Sequence, residues 1–317
     1  VLSLYTELGT LAARAAGLQP NSARFRALGH FITRQADGTA VPCFPDSQAE
    51  QVELLRSLSA ATGVTLLPFG NGRFVLDAPG GFDPPPRSLT PTDLLDTRLE
   101  RELRSWPAAL RTLLEQAERC LADHAINHVR LDLGQNPIDG IWLWSGGSLS
   151  GVSPAAGLPG QAVLSSEPLA LSLGQALGLT TLGMESPYSL DRYDAAFDMT
   201  AFLELLDHHH ELVVWVPAPF ARGPQEGPEE KVRRLDAIDY YITGPIRAVL
   251  ETLPSARMLL AAAGVRHRGR PEKGRAPFVL WGDGVPADAT TAWSEREGAR
   301  GDLGTLKFST LLSLTRN

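Results

Sequence analysis

Apolar positions in the first third of the chain follow two different periods. Alanines and leucines recur at helical spacing over residues 4–18, and this pattern ends near Gly17 and Pro20. The short β-like stretches GHFITR, VTLLPF and GRFVLDA then surround a helix-like stretch over residues 48–61. The pattern therefore predicts an α+β module that follows an initial helix.

A loop and a long helical region come next. The Pro- and Gly-rich run over residues 78–87 predicts a loop, and residues 90–93 supply the Thr, Pro and Asp that begin helices. Beyond this point one face of an amphipathic helix carries an apolar stripe, formed by Leu110, Leu113, Leu114, Ala117 and Leu121.

After Gly140, apolar stretches of strand length alternate with amphipathic stretches of helix length. Strands are predicted at IWLW, AVLSS, TTLGM, LVVWV, RMLLAAA and APFVLWG, with helices over residues 168–177, 193–206 and 229–250. Strands that are apolar throughout and separated by helices are typical of a sheet covered on both faces. This part of the chain is predicted to be a mostly parallel α/β layer sandwich.

Composition adds limits on size and partners. The 317 residues, 43% hydrophobic and 21% charged, suffice for one large domain and a smaller inserted or appended one. The formal charge of -7 provides no large basic field, so we expect neither nucleic acid nor a membrane surface as a partner.

Cysteine usage and hydropathy indicate the compartment. Cys43 and Cys120 are too few for a disulfide framework and match no zinc or CxxC spacing. No apolar run approaches the roughly 20 residues that cross a bilayer, and no signal peptide is recognisable. We expect a soluble, cytoplasmic protein, with further sequence before Val1 because valine is an unusual first residue.

One stretch is specific enough to indicate a family. NHVRLDLGQNPIDGIWLWSGG resembles the pattern NxxRxxxGxxPxNxxWxWG of archaeal-type cofactor-independent phosphoglycerate mutases, which belong to the alkaline-phosphatase superfamily. The residues in step are Asn127, Arg130, Gly134, Pro137, Trp142 and Trp144. Asp139 and Ser145 depart from the pattern, since the family has Asn and Gly there. The stretches GQAVLSSEPLALSLGQALGLTTLGM and WSEREGARGDLGTLKFSTLLSL are also similar to the family.

The resemblance implies a fold and a division of the chain. It implies an alkaline-phosphatase-like three-layer α/β/α core that is interrupted by a smaller α+β inserted domain. Residues 1–26 would be an N-terminal remnant of the core, residues 27–139 the inserted domain and residues 140–317 the core. The family carries two divalent metals, usually manganese or zinc, at the carboxyl ends of core strands, and a nucleophilic serine accepts the phosphoryl group.

The residues that would hold those metals are replaced in this chain. Two close dications need carboxylates and imidazoles as ligands. The positions that correspond to the family's ligands hold Phe220, Pro224, Ala263, Gly264 and Pro271. We therefore expect a phosphoglycerate-mutase-like protein that has lost metal-dependent transfer, has no catalytic residue and no cofactor, and acts as a binding or regulatory scaffold.

Three residues are candidates for binding the ligand of such a scaffold. Arg130 and Asn127 belong to the matched pattern, and His267 lies near a lost ligand position; the ligand would be a phosphorylated small molecule or a protein partner. A structural ion pair is the alternative for Arg130. Trp142 and Trp144 would face the same side of a strand, as packing residues or as a surface on which a ligand stacks.

Two other functions remain open. The chain could be an active mutase or phosphatase in which Asp283, His267 or Glu226 rebuilds a manganese or zinc site with preceding sequence. It could also be a structural or assembly protein whose cleft Phe220 and its neighbours close. Residues 208–210, three consecutive histidines, indicate a helix end more than a metal site, and the basic run over residues 266–275 indicates a solvated loop.

Overall fold

The fold is that of a computed structural model. It describes residues 2–19, 21–70, 72–85, 89–147, 160–184, 198–216, 228–253, 255–261, 266–267, 270–271, 278–285 and 301. The chain divides into two compact units, Val1–Val232 and Arg233–Asn317.

A five-stranded antiparallel sheet with four α-helices forms the first part of unit one. The strands are β1 (Arg24–Arg34), β2 (Ala40–Cys43), β3 (Thr65–Pro68), β4 (Arg73–Pro79) and β5 (Gly140–Gly147). Four of them are ordered β2-β1-β4-β3, and β5 pairs with β1. The helices are α2 (Gln48–Thr62), α3 (Leu99–Leu103), α4 (Ala108–Ala122) and α5 (Ala125–Asp132), and a 3-10 turn spans Pro91–Asp96. The α1 helix (Leu2–Ala15) precedes the sheet.

The core of this part lies between the sheet and its helices. The stripe predicted on α4 is confirmed, since all five of its residues are buried, and it packs in one apolar cluster with the sheet. Trp142 and Trp106 lie in the same cluster with ring centroids 4.6 Å apart, and the Trp142 indole N–H donates to the Leu89 carbonyl at 2.8 Å. Packing therefore accounts for Trp142.

A three-stranded parallel sheet completes unit one. Its strands are β6 (Gln161–Ser165), β7 (Thr180–Gly183) and β8 (Glu211–Trp215), in the order β7-β6-β8. Helix α6 (Pro168–Ala176) connects β6 to β7, and α7 (Met199–His208) precedes β8. These elements confirm the alternation predicted for this stretch and the α/β fold class.

The strand IWLW belongs to a different sheet from the one expected. It forms β5, which pairs antiparallel with β1 rather than joining the parallel strands. An apolar run gives no information about its partner, and here β1 offers the pairing edge. The division at residues 139 and 140 stays a prediction.

The backbone conformation at Ser145 shows why the family pattern has glycine at this position. The β1–β5 register shifts between Arg26 and Leu28, so that Ser145 and Gly146 lie opposite Ala27 in a bulge. Ser145 has φ 51°, in the left-handed region that favours glycine. A glycine in the family pattern fits this backbone, and Ser145 adopts the same conformation with a side chain.

The described residues of unit two form a helical segment and two antiparallel strand pairs. Helix α8 (Pro228–Ile238) begins in unit one, a π-helical turn spans Asp239–Thr243, and α9 (Gly244–Leu250) follows. The single helix predicted over residues 229–250 is thus interrupted. Pro245 has no N–H for the Tyr241 carbonyl four residues earlier, which favours the wider turn.

The strands that the structure describes in unit two pair antiparallel. β9 (Arg257–Ala261) pairs with β12 (Phe278–Gly282), and β10 (Arg266–His267) pairs with β11 (Arg270–Pro271). The expectation of parallel strands was wrong for β9 and β12, because apolar runs of this length occur in buried strands of either direction. Among the described residues, no helix is both long and apolar enough to span a membrane.

Candidate functional site

The carboxyl edge of the parallel sheet is the candidate site. In open α/β sheets, ligands bind beyond the carboxyl ends of the strands. The Ser165 hydroxyl, at the end of β6, donates to the Trp215 carbonyl at 2.7 Å and accepts from the Glu167 N–H at 3.0 Å. The Met184 N–H, just after β7, donates to the Ser165 carbonyl at 3.0 Å. One serine thus holds all three strand ends together.

Glu167 joins this edge to the antiparallel sheet. It is the N-cap of α6, where its Oε1 accepts from the Leu169 N–H at 3.1 Å. The same carboxylate forms an ion pair with Arg73, the first residue of β4. Both side chains are largely buried, with 10% and 13% of their surface exposed. The pair therefore fixes α6 against β4 in a desolvated environment.

Next to Arg73 lies a buried histidine. Trp144 Nε1 donates to His30 Nδ1 at 3.0 Å, so that this ring nitrogen carries no proton. Burial, together with the positive charge of Arg73, lowers the pKa of His30 well below its usual value. His30 is therefore a neutral structural partner of Trp144.

Two buried polar atoms near this edge have no partner in the part of the chain that the structure describes. They are Nε of Arg73 and Oγ of Ser166. Each is a hydrogen-bond donor, and the guanidinium adds positive charge. The described edge is therefore polar, and the charges of Arg73 and Glu167 balance each other there.

The positions at which the family holds its two metals lie mostly outside the described residues. Within the described ranges, no three His, Cys, Asp or Glu side chains gather where they could hold a metal ion. Phe220, Pro224, Ala263, Gly264 and Glu226 lie outside those ranges. Pro271 and His267 lie on strands β11 and β10, and Asp283 is exposed after β12. The loss of the family's metal ligands therefore stays a prediction.

Arg130 is surrounded by protein groups. Its Nη1 lies 2.9 Å from Glu50 Oε1 and 3.5 Å from Asp46 Oδ1, and its Nε donates to the Asn136 carbonyl at 2.9 Å. Nη2 lies 3.5 Å from Cys43 Sγ. The side chain is only 8% exposed. These contacts support the structural ion pair, while ligand binding by Arg130 stays a prediction that nothing here tests.

Asn127 is likewise bonded to the protein's own backbone. Its Nδ2 donates to the carbonyls of Leu121 and Ile138, and its Oδ1 accepts from the Ile138 N–H. The residue is 4% exposed. The matched pattern thus places Arg130 and Asn127 within a buried support for the antiparallel sheet.

The histidines at residues 208–210 lie at a helix end. Helix α7 ends at His208, and His209 contacts the Leu205 carbonyl at 3.0 Å through Nδ1 and Thr180 Oγ1 at 2.9 Å through Nε2. These bonds favour the interpretation as a helix end.

Sequence analysis missed the Arg73–Glu167 and His30–Trp144 contacts. The available signal was a polar residue among apolar residues of a strand, and such a residue does not indicate which side chain it contacts.

Comparisons with known proteins agree with the sequence pattern. No family model matches the chain. A probable 2,3-bisphosphoglycerate-independent phosphoglycerate mutase of Geobacter sulfurreducens is 28% identical over 197 residues, which cover 59% of this chain and 48% of that protein. The 2,3-bisphosphoglycerate-independent phosphoglycerate mutase of Methanothrix thermoacetophila is 27% identical over 212 residues, or 64% and 53%. The chain thus spans about half the length of these relatives.

A longer and weaker match covers nearly the whole chain. The protein of the same name from Methanosphaerula palustris is 23% identical over 98% of this chain and 79% of its own length. The solved structure of the PH0037 protein from Pyrococcus horikoshii has the same fold, with a TM-score of 0.56, 16% identity, and coverage of 97% of this chain and 76% of that one. The chain is therefore a distant relative of the 2,3-bisphosphoglycerate-independent phosphoglycerate mutases.

Proposed function

We propose that this phosphoglycerate-mutase-like chain has lost metal-dependent phosphoryl transfer and acts as a binding or regulatory protein. One observation carries the proposal: the aligned ligand positions hold Phe220, Pro224, Ala263, Gly264 and Pro271. None of these side chains can bind Mn²⁺ or Zn²⁺. The replacements are spread over three separate stretches while the neighbouring strand-like sequences are retained.

Contacts at the carboxyl edge of the parallel sheet are consistent with a binding role. Glu167 accepts hydrogen bonds from its own helix and pairs with Arg73, and the Ser165 hydroxyl is bonded on both sides. A nucleophilic serine needs a free oxygen and a group that activates it. Ser165 has neither among these contacts, so its role in the proposal is to hold the strand ends.

The proposed ligand is a phosphorylated small molecule or a protein partner. A phosphorylated small molecule is proposed because the chain is similar to proteins named 2,3-bisphosphoglycerate-independent phosphoglycerate mutases. We also propose a cytoplasmic location, because Cys43 and Cys120 are both free thiols.

Metal content and turnover together test the proposal. The full-length protein would be incubated with Mn²⁺ and Zn²⁺, dialysed and analysed by plasma mass spectrometry, with phosphoglycerate mutase and generic phosphatase assays in parallel. The Methanothrix thermoacetophila relative, treated identically, is the control. We expect this chain to retain no stoichiometric metal and to show no turnover.

The opposite result would identify the alternative function. One or two metals per chain together with turnover would overturn the proposal and favour a rearranged site. Alanine substitution of Asp283, His267 and Glu226, one at a time, would then show which residue holds the metal. Turnover without bound metal would also contradict the loss of transfer.

A further inference from the structure

A surface depression between the β1–β2 hairpin and α3 has a charge pattern that none of the preceding functions uses. It encloses about 670 Å³, and its lining residues are Ala36, Asp37, Gly38, Arg98, Glu100, Arg101 and Arg104. This volume lies within the range of small-molecule sites, about 300–1,000 Å³. Three of the seven lining residues are arginines, so the depression is a candidate site for an anion.

The local backbone holds the arginines against the hairpin. The Leu99 N–H, at the start of α3, donates to the Gly38 carbonyl at 2.9 Å. Gly38 has φ +84°, a conformation that this hairpin turn requires and that a larger residue would adopt with strain. Leu99 itself is buried, with 4% exposed. The first turn of α3 is therefore held by a backbone hydrogen bond to the hairpin and by the buried Leu99 side chain.

The three arginines follow one another at intervals of three residues. Arg98 is the N-cap of α3, Arg101 lies within the helix and Arg104 is its C-cap, and all three line the depression. All three side chains are exposed, and none forms an ion pair or hydrogen bond with another described residue. Guanidinium groups in this state can turn toward a shared ligand without breaking an existing contact.

The acidic residues of the depression cancel this charge only in part. Asp37 Oδ1 already accepts from the Thr39 N–H at 2.9 Å and from the Thr39 hydroxyl at 2.7 Å. The Thr39 bonds, with a smaller contribution from the charge of Arg98, lower the pKa of Asp37. Asp37 therefore stays ionised, and together with Glu100 it offsets two of the three arginine charges, which leaves the lining residues with a net charge of +1.

We propose that this depression binds the phosphate group of a small molecule. Three guanidinium groups supply more N–H donors than the two oxygens of a carboxylate ligand can accept. The three terminal oxygens of a phosphate group can accept them, so a phosphate fits the depression better. The net charge of -7 makes an extended nucleic acid a poor partner. The proposal does not depend on the loss of phosphoryl transfer, because the depression is formed by the hairpin and α3 alone.

Isothermal titration calorimetry with inorganic phosphate, at constant ionic strength, is the test. We expect saturable binding to the unaltered protein and a dissociation constant at least about tenfold weaker in the double variant Arg98→Gln, Arg101→Gln. The matched control is Arg14→Gln, Arg111→Gln, which removes the same charge at two exposed positions outside the depression. Circular dichroism would confirm that both double variants are folded.

Two results would overturn the proposal. One is the absence of saturable binding to the unaltered protein, and the other is an equal loss of binding in both double variants, which would indicate a general charge effect. A third variant, Arg98→Lys, Arg101→Lys, separates charge from geometry: weaker binding than the unaltered protein supports recognition by the planar forks. Because binding is measured without turnover, this result is distinct from the metal and activity measurements.

Discussion

Asn127 hydrogen-bonds both backbone groups of Ile138: its Oδ1 accepts from the N–H at 2.8 Å and its Nδ2 donates to the carbonyl at 2.7 Å. The side-chain amide thereby satisfies both backbone groups of Ile138, just before β5, as the backbone of a neighbouring strand would. A further bond from Nδ2 to the Leu121 carbonyl, at 2.8 Å, ties the end of α4 to the same point. The matched asparagine therefore has a structural explanation that needs no ligand.

Replacing Asn127 by alanine is expected to destabilise the fold by about 2–4 kcal/mol. The substitution leaves buried backbone groups of Ile138 and Leu121 without partners, at about 1–3 kcal/mol each before relaxation. Urea unfolding followed by circular dichroism would measure the change. His128→Ala is the control, since His128 is exposed on the same helix. A loss for Asn127→Ala no larger than that of the control would contradict the structural role.

The ion pair between Arg130 and Glu50 should behave as a buried one. Arg130→Met is expected to cost about 3–5 kcal/mol, because it leaves the Glu50 carboxylate, 13% exposed, without its partner. The double variant with Glu50→Gln should be less destabilised than the sum of the two single variants. A double-mutant cycle in urea measures this coupling.

The exposed pair of Arg56 and Glu53 on α2 provides the comparison. Its side chains are 74% and 45% exposed, and its coupling free energy in the same kind of cycle should stay below about 1 kcal/mol. If Arg130 and Glu50 showed coupling as small as this, Arg130 would be free for another role. Ligand binding would then become the better explanation of the matched arginine.

Stability should fall as the pH falls below about 6.5 because of His30. Its pKa in the folded chain lies well below the usual value of 6.5, so the unfolded chain takes up a proton in this range and the folded chain does not. The contribution is fully present above pH 6.5 and is lost toward the folded-state pKa, with a limiting slope of about 1.4 kcal/mol per pH unit.

The variant His30→Asn removes this titration while retaining an acceptor for the Trp144 N–H. Urea unfolding at pH 7.5, 6.5 and 5.5 should show a smaller loss of stability between 6.5 and 5.5 in His30→Asn than in the unaltered protein, by up to about 1 kcal/mol. His128→Gln, at an exposed position, should leave the loss unchanged. Equal losses in all three proteins would mean that another group is responsible.

Gly9 marks a close approach between α1 and the antiparallel sheet. A Cβ atom on this residue would lie 2.9 Å from Ala27 Cα and still closer to the Ser145 carbonyl oxygen, and neither backbone can easily move. Gly9→Ala should therefore destabilise the protein by about 1–3 kcal/mol. Helix propensity alone predicts the opposite sign, a gain of about 1 kcal/mol. The sign of the change in thermal unfolding thus tests whether α1 packs at this distance.

Local elements could be predicted from the sequence because their signals are local. The buried stripe of α4 and the start of α6 at Pro168 follow from spacing and helix-start residues. The partner of β5 could not be predicted, since an apolar run such as IWLW fits either sheet. The antiparallel pairing of β9 with β12 departs from the mostly parallel arrangement predicted after Gly140, because the sequence of a strand does not specify its partner or its direction.

The candidate site was predictable in part only. The replacement of metal ligands at Phe220 and Pro224 follows from the resemblance and stays a prediction, because both residues lie outside the described ranges. The Arg73–Glu167 pair could not be predicted, because its members lie 94 residues apart and each resembles an ordinary surface charge in the sequence. The depression around Arg98 depends on the Leu99 bond to the hairpin, which has no sequence signature of its own.

Ser165 connects the strand ends of the parallel sheet, whereas any catalytic or binding residues at this edge would come from the segments beyond the strands. Its hydroxyl adds a side-chain bond to the backbone pairing of β6 and β8, so the ends of these strands are joined by contacts within the sheet itself. Replacements in the segments that follow the strands would leave these bonds in place. The strand ends can therefore keep their arrangement while the residues beyond them, and the chemistry that those residues support, change.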